Sequence, residues 1–275
     1  MTDATHGLRI SWQNNTLSIT GQGIPGSSID INYLEAFCRP ASHARDWSET
    51  TVPHRTQLLA ADDDGRRLHL ASILADGVVV SHTITAGADE VDFQLTAHNP
   101  TTHPSEAHWA QPCIRVGGFT GLGTPQPSYD YIRNCFIFLS GTLTTMPTPD
   151  WATAARYTPG QVWCPEGVPR EDVYPRPLNP LTPSNGLIGC FSQDGETILA
   201  TAWEPYQELF QGVLHCIHSD FRIGGLGPSE RKEIRGKIYI VPGDVTALLE
   251  RYQRDFPEHT STHPHTSPTS VPLLT

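Results

Sequence analysis

The sequence predicts an all-β protein, a large antiparallel β-sandwich with one helix at its C-terminal end. Three observations carry that expectation. About a dozen short runs rich in β-branched and aromatic residues recur between turn-forming pairs, no alternation of strand and helix or glycine-rich phosphate loop interrupts them, and helical periodicity appears convincingly only once.

The elements follow in order. Residues 8–12 and 16–20 flank Asn14-Asn15, a pair that tolerates the left-handed backbone of a tight hairpin. Runs at 29–37, 67–74, 78–85, 91–98, 107–116 and 131–139 come next, with Asp76-Gly77 joining the second to the third. Residues 187–192 and 197–203 flank Asp194-Gly195, and runs at 213–219 and 233–241 complete the strands. Asp244 is a good N-cap, and Val245, Leu248, Leu249, Tyr252 and Phe256 repeat at helical spacing until Pro257. Residues 1–256 therefore read as one domain, and 257–275 as a disordered tail too polar and proline-rich to pack. Within the domain, residues 145–183 carry nine prolines together with Trp151, Tyr157, Trp163 and Tyr174, so a long loop is expected to wrap one sheet face and wall part of a cleft.

Charge and cysteine usage narrow the function. Eighteen Lys and Arg against 29 Asp and Glu give a net charge of −11, which repels phosphate backbones and anionic lipid, so neither nucleic acid nor membrane is an expected partner. The N-terminus shows no basic segment followed by an apolar one, and no run approaches a membrane span, which makes a cytoplasmic location the expectation. The six cysteines are scattered without a Cys-x-x-Cys pair and read as free thiols.

The richest chemistry lies at 214–222. On a strand, Cys216, His218 and Asp220 share one face while His215 and Ile217 point to the other, so an imidazole stands two residues from a carboxylate. The bland alternative is a satisfied sheet histidine beside a turn-capping aspartate. Trp109, Gln111, Cys113 and Arg115 likewise share a face whose ring, amide and guanidinium suit a hydroxylated ligand. Tyr131 and Arg133 fall on one face of the 131–139 run, a phenol beside a cation. Trp203 and Glu204 close a strand, with Glu204 a candidate acid for His218; Arg39 and His54 belong to a turn-rich stretch suited to binding. His82 lies on the apolar row of Val78 and Val80 and reads as a core histidine. No cofactor is expected. A divalent metal near His218 and Asp220 is the weaker reading, because alternation turns His215 away and the spacing fits no common zinc pattern.

The run of antiparallel strands over residues 8–256, with His, Arg, Gln and Glu on strand faces, resembles the galactose mutarotase-like supersandwich group, which includes sugar epimerases and polysaccharide lyases. The segment from Val91 to Thr101, a strand followed by the turn at Asn99-Pro100, is similar to one that recurs in such proteins; the His-rich Asn-Leu motif of aldose 1-epimerases is missing. The resemblance implies a carbohydrate-active enzyme, an epimerase, isomerase or lyase, that abstracts a proton from a sugar carbon of a small or oligosaccharide substrate. His218 or Tyr131 would be the base, Glu204 or Asp220 the partner acid, Arg133 or Arg115 the anion-stabilising cation, and Trp109 and Trp203 the stacking surface. The alternative is a non-catalytic carbohydrate-binding β-sandwich, marked by aromatics in an open groove without a buried His/carboxylate pair; a structural or interaction protein would scatter the polar residues over unrelated surfaces. The deciding observation is whether Trp109, Gln111, Tyr131, Arg133, Glu204 and His218 line one concave sheet face; dispersion over both faces would remove the enzyme reading.

Overall fold

Left-handed backbone at Asn14 and Asn15, with φ of 51° and 61°, turns Arg9–Gln13 (β1) back onto Thr16–Thr20 (β2) as a tight hairpin. The computed structural model describes residues 7–122, 130–148, 160–173, 178–212 and 215–260. After β2 come Ser28–Cys38 (β3), the short helix Trp47–Thr50 (α1), Thr51–Val52 (β4), His54–Ala61 (β5), Arg67–Leu74 (β6), Val79–Ala86 (β7), Glu90–His98 (β8) and Trp109–Arg115 (β9). They continue with Cys135–Leu139 (β10), Thr142–Thr145 (β11), Gly160–Trp163 (β12), Ile188–Phe191 (β13), Thr197–Glu204 (β14), Tyr206–Gly212 (β15), Cys216–Arg222 (β16), Arg231–Pro242 (β17) and the helix Val245–Asp255 (α2).

Two antiparallel sheets result. The first runs β1-β2-β3-β9-β16-β15-β12 with β4 beside β3, and the second runs β11-β10-β13-β14-β17-β8-β7-β6-β5. Their facing sides share one core, to which β9 gives Ala110 and Ile114, β16 gives Ile217 and Phe221, and β14 gives Trp203. Because strand residues alternate, the partners of these on β9 and β16 face away from the core and need their own cover. On the second sheet that cover is α2, whose Leu248 and Tyr252 pack with Phe136, Ile198 and Tyr239, and whose N-cap Asp244 accepts from the amides of Thr246 and Ala247. On the first sheet the cover is the described part of 145–183, where Val162, Cys164 and Val173 pack onto Trp109, Cys113, Phe210 and Cys216.

The sequence does not announce β4, β5, β11, β12 and β15. The edge strand β5 is largely exposed and lacks an apolar row, while β15 follows the proline of Glu204-Pro205 and carries Gln207 and Glu208. The 145–183 span is more than a loop, since its 160–163 segment pairs with β15 as an edge strand; Trp151, Tyr157 and Tyr174 lie outside the described residues. All six cysteines are buried free thiols.

Residues 257–260, expected to open a disordered tail, are folded against the domain. Pro257–Thr260 form a turn of 3-10 helix, and His259 stacks on Phe256 at 5.4 Å, meets the Tyr252 hydroxyl and reaches Glu204 Oε2 at 2.7 Å. Burial of an imidazole that bridges two partners outweighs the polarity of the segment. His259→Ala is expected to cost about 1–3 kcal/mol in urea unfolding, the price of leaving Tyr252 and Glu204 without it. An unchanged midpoint would show that the turn contributes nothing. Residues 261–275 lie outside the described residues.

Candidate functional site

Proline in the middle of a sheet removes a ladder hydrogen bond, and Pro112 sits in the centre of β9. On one side β3 bulges between Asn32 and Ala36, opposite Cys113 and Gln111. On the other, β9 pairs with β16 at Arg115–Cys216 and Ile114–Ile217, then again at Ala110–Phe221 and Trp109–Arg222. The same register sets His218 opposite Cys113 and Asp220 opposite Gln111. Beyond β16, Asp220 faces Glu208 and His218 faces Phe210, next to a second bulge between Tyr206 and Glu208. Bulges beside functional sites re-aim side chains. Here they frame a polar patch on the outer face of the first sheet: Gln111, Asp220 and Glu208 across one row, Cys113 and His218 across the next, with Cys216 beside them.

This patch is buried. Glu208, Asp220, His218, Cys113, Cys216 and Gln111 are all at most 4% exposed. His218 Nδ1 lies 3.5 Å from Asp220 Oδ1, an ion-pair distance, while neither ring nitrogen of His218 and neither Asp220 oxygen has a hydrogen-bond partner among the described residues. Arg115 is half-buried at one end of the patch, near the exposed Glu35. At the other end Asp172 of the covering segment accepts from the Ala41 amide at 2.7 Å and pairs with Arg222 at 3.5 Å, and Arg222 donates to Gln207 at 2.6 Å. These contacts latch the cover onto the sheet.

Packing so many ionisable groups together displaces their proton affinities. A hydrogen bond from Cys113 holds the Cys216 thiol well below the usual cysteine range despite burial, and the same bond, with burial, pushes Cys113 up. Burial works against a charged His218, but the neighbouring Cys216 and Asp220 outweigh it and lift the imidazole to about 10. Burial raises the Asp220 carboxyl to about 6 against the pull of His218.

The structure divides the residues drawn from the sequence. Trp109, Gln111, Arg115, His218 and Asp220 lie on the outer face of the first sheet, as alternation requires. Tyr131 and Arg133 do not share a strand face: 130–134 is a 3-10 helix, with Tyr131 buried between the sheets and bonded to the carbonyls of Gly212 and Cys216, and Arg133 exposed. Glu204 ends β14 on the second sheet and is held by His259, not His218. Trp203 is no stacking platform; it lies in the core between Phe93 at 5.1 Å and Phe221 at 4.8 Å. Trp109 is equally buried, its indole donating to Ser42 at 3.1 Å. Arg39 clamps Glu106 and the carbonyls of Glu49 and Thr51, and His54 bonds the Leu34 carbonyl at 3.2 Å, so both hold loops and strands together. The six residues expected to line one face are therefore dispersed, which removes the enzyme site built from them; what stands together is a different, smaller set around His218.

Sequence reasoning missed Glu208. The signal was present in the alternation of Glu208 and Phe210 along a strand, but Pro205 and the two carboxylates of 204–208 read as a strand end. An open hollow of about 510 Å³ on the second sheet, lined by Glu204, Arg235, Lys237 and Asp92, holds charges already paired: Lys237 meets Glu90, Asp92 and Asp255, and Arg235 meets Glu258.

No protein-family model and no curated protein matches this chain. Among solved structures, it is similar to the quadruple mutant of the α-N-acetylgalactosaminidase NagBb from Bifidobacterium bifidum, at 11% identity and a TM-score of 0.50, covering 94% of this chain and 39% of that one. It is also similar to a galactose mutarotase-like protein from Lactobacillus casei, at 8% identity and a TM-score of 0.43 over 85% of this chain and all of that one (100%). A putative aldose 1-epimerase from Escherichia coli matches at 11% identity and a TM-score of 0.42, over 85% of this chain and 98% of that one. The likeness to that α-N-acetylgalactosaminidase, of which this chain covers 39%, is one of fold.

Proposed function

We propose that this protein is a carbohydrate-active enzyme, of epimerase, isomerase or lyase type, that removes a proton from a sugar carbon. In this reading Glu208 and Asp220 are the carboxylates that exchange the proton, and His218 positions Asp220. The observation that carries it is the pair of acids facing one another across β15 and β16, both fully buried. Buried acids are costly to a fold that needs only stability, since apolar residues of similar size do as well or better. Proton transfer to and from carbon needs two such groups in different protonation states, and an apolar cover is what separates them.

Other groups support the same chemistry. Gln111, opposite Asp220, offers an amide to sugar hydroxyls, and Arg115 offers a cation to a carboxylate or an enolate oxygen. On this proposal a sugar would reach the patch only once the cover latched at Asp172 had lifted, and closure would then exclude water from the reacting carbon. The fold shared with an α-N-acetylgalactosaminidase agrees with sugar chemistry without naming a reaction. The binding-only alternative calls for aromatics in an open groove, whereas Trp109, Trp163 and Trp203 are buried.

The test is proton NMR in D2O of the wild-type protein with a panel of aldoses, ketoses, uronic acids and short uronate oligosaccharides. Enzyme-dependent loss of one carbon-bound proton signal, or the appearance of an epimer, isomer or unsaturated product, is the expected result. A panel in which no carbon-bound proton exchanges and no product forms would overturn the reading.

A further inference from the structure

We infer that Cys113, Cys216 and His218 form a site for a divalent metal of zinc type on the outer face of the first sheet. The donor atoms of the three side chains lie within 4.8 Å of one another, and all three are buried. A tetrahedral zinc at about 2.3 Å from sulfur and about 2.0 Å from nitrogen holds its ligand atoms roughly 3.5–3.8 Å apart, so closure takes shifts of about an ångström or less. Two thiolates and an imidazole are a common donor set for that metal, and they leave a fourth position for water, a carboxylate or substrate.

A second observation points the same way. His218 is 2% exposed, and its Nε2 has no hydrogen-bond partner among the described residues. Asp220 stands 3.5 Å from the other ring nitrogen, Nδ1. A carboxylate behind one nitrogen fixes the tautomer and aims the other at a metal, the usual support of a ligating histidine. The patch also contains Asp220 and Glu208, so a divalent cation would offset negative charge that burial leaves poorly screened.

The backbone explains why these three meet. Cys216 and His218 are two apart on β16, and Cys113 lies opposite His218 on β9, beside the ladder gap that Pro112 makes. The sequence suggested a metal near His218 and Asp220 with His215 turned away; His215 lies just before β16 with φ of 52° and places its ring edge-on to Tyr131 at 5.1 Å. The donor set is instead completed by a cysteine from the neighbouring strand.

The site stands independently of the proposed reaction, and its test uses no substrate. The full-length protein, purified with reductant and without chelator, is analysed for metal; it is then stripped, loaded with Zn2+ or with Co2+, and its absorption is recorded. About one equivalent of Zn2+ per chain is expected. The cobalt form should show thiolate-to-cobalt charge-transfer bands in the near ultraviolet and intense visible bands of tetrahedral Co2+. Cys113→Ser and Cys216→Ser should each remove most of the charge-transfer intensity, and His218→Gln should lower Zn2+ affinity at least tenfold, the loss typical even of a supporting residue. The histidines at 259, 263 and 265 have no sulfur and cannot produce the charge-transfer bands. Reduced wild-type protein that takes up no Zn2+, or binds Co2+ without thiolate bands, would overturn the site whether or not the variants fold; so would bands that survive both cysteine substitutions. Sugar exchange without metal uptake would refute the metal and leave the enzyme reading intact, and metal uptake without exchange would do the reverse.

Discussion

Replacing Glu208 by Gln is expected to slow sugar carbon–proton exchange by on the order of 10²- to 10⁴-fold, the usual contribution of a positioned acid or base. Gln keeps the size and hydrogen-bonding capacity of Glu but cannot take up a proton. Glu208 lies at 0% exposure between Asp220 on β16 and the edge strand β12, so the amide should fit where the carboxylate was. The isosteric amide is then expected to leave stability in urea within about 1–2 kcal/mol of the wild type. The fall should appear in kcat as much as in kcat/KM, because the proton moves only in the transition state. A rise in KM with kcat intact would make Glu208 a binding residue and remove it from proton transfer.

The second large effect concerns stability. His82 is buried between the sheets, bonded through Nδ1 to the Tyr33 hydroxyl at 2.9 Å and through Nε2 to Ser72 at 3.0 Å. The core-histidine reading from the apolar row of β7 thus has its physical explanation: two hydroxyls satisfy a neutral ring. Burial, with a small contribution from His54, depresses its pKa from 6.5 to about 3. For a base held neutral in the fold, stability is fully present above the unfolded pKa and falls as the pH drops through the interval from about 6.5 to about 3, because only the unfolded chain takes up the proton. The slope is about 1.4 kcal/mol per pH unit, so between pH 6.5 and pH 4 the wild-type protein should lose roughly 3 kcal/mol through this residue. His82→Asn has no such group. It is expected to be less stable at neutral pH by about 1–3 kcal/mol for its weaker hydrogen bonds, and to lose correspondingly less on acidification. Parallel wild-type and variant stability curves over that interval would show that His82 is not held neutral.

The fold was legible where local chemistry decides it. Asn14-Asn15, Asp76-Gly77 and Asp194-Gly195 each make the turn their residues demand, with Gly77 and Gly195 at φ of 93° and 77°. Asp244 caps the helix that the 3.6-residue spacing predicts. What the sequence hid is non-local. Tyr131 continues an apolar run into β10, yet its hydroxyl is drawn to carbonyls 81 and 85 residues away and its backbone coils as a 3-10 turn. Glu204 looks like a partner for His218 until sheet assignment puts them on different sheets, with His259 from beyond the helix taking the carboxylate. Aromatic size misled in the same way: Trp203 and Trp109 fill cores. The face shared by Cys216, His218 and Asp220 was readable from period-two alternation alone, whereas the contributions of Cys113 and Glu208 depend on the strand order β9-β16-β15, which no local pattern encodes.

The chemistry is proposed to reside on the outer face of the first sheet and not around Glu204 at the end of β14 in the second. The most direct measurement compares carbon–proton exchange in D2O, on whichever sugar of the panel the wild-type enzyme turns over, for Asp220→Asn and Glu204→Gln made in parallel. Asp220→Asn is expected to lower the exchange rate at least about 10²-fold while Glu204→Gln, which alters the His259 contact on the second sheet, leaves it within about twofold for the folded protein. The reverse pattern, with Glu204→Gln inactive and Asp220→Asn exchanging at the wild-type rate, would contradict the account.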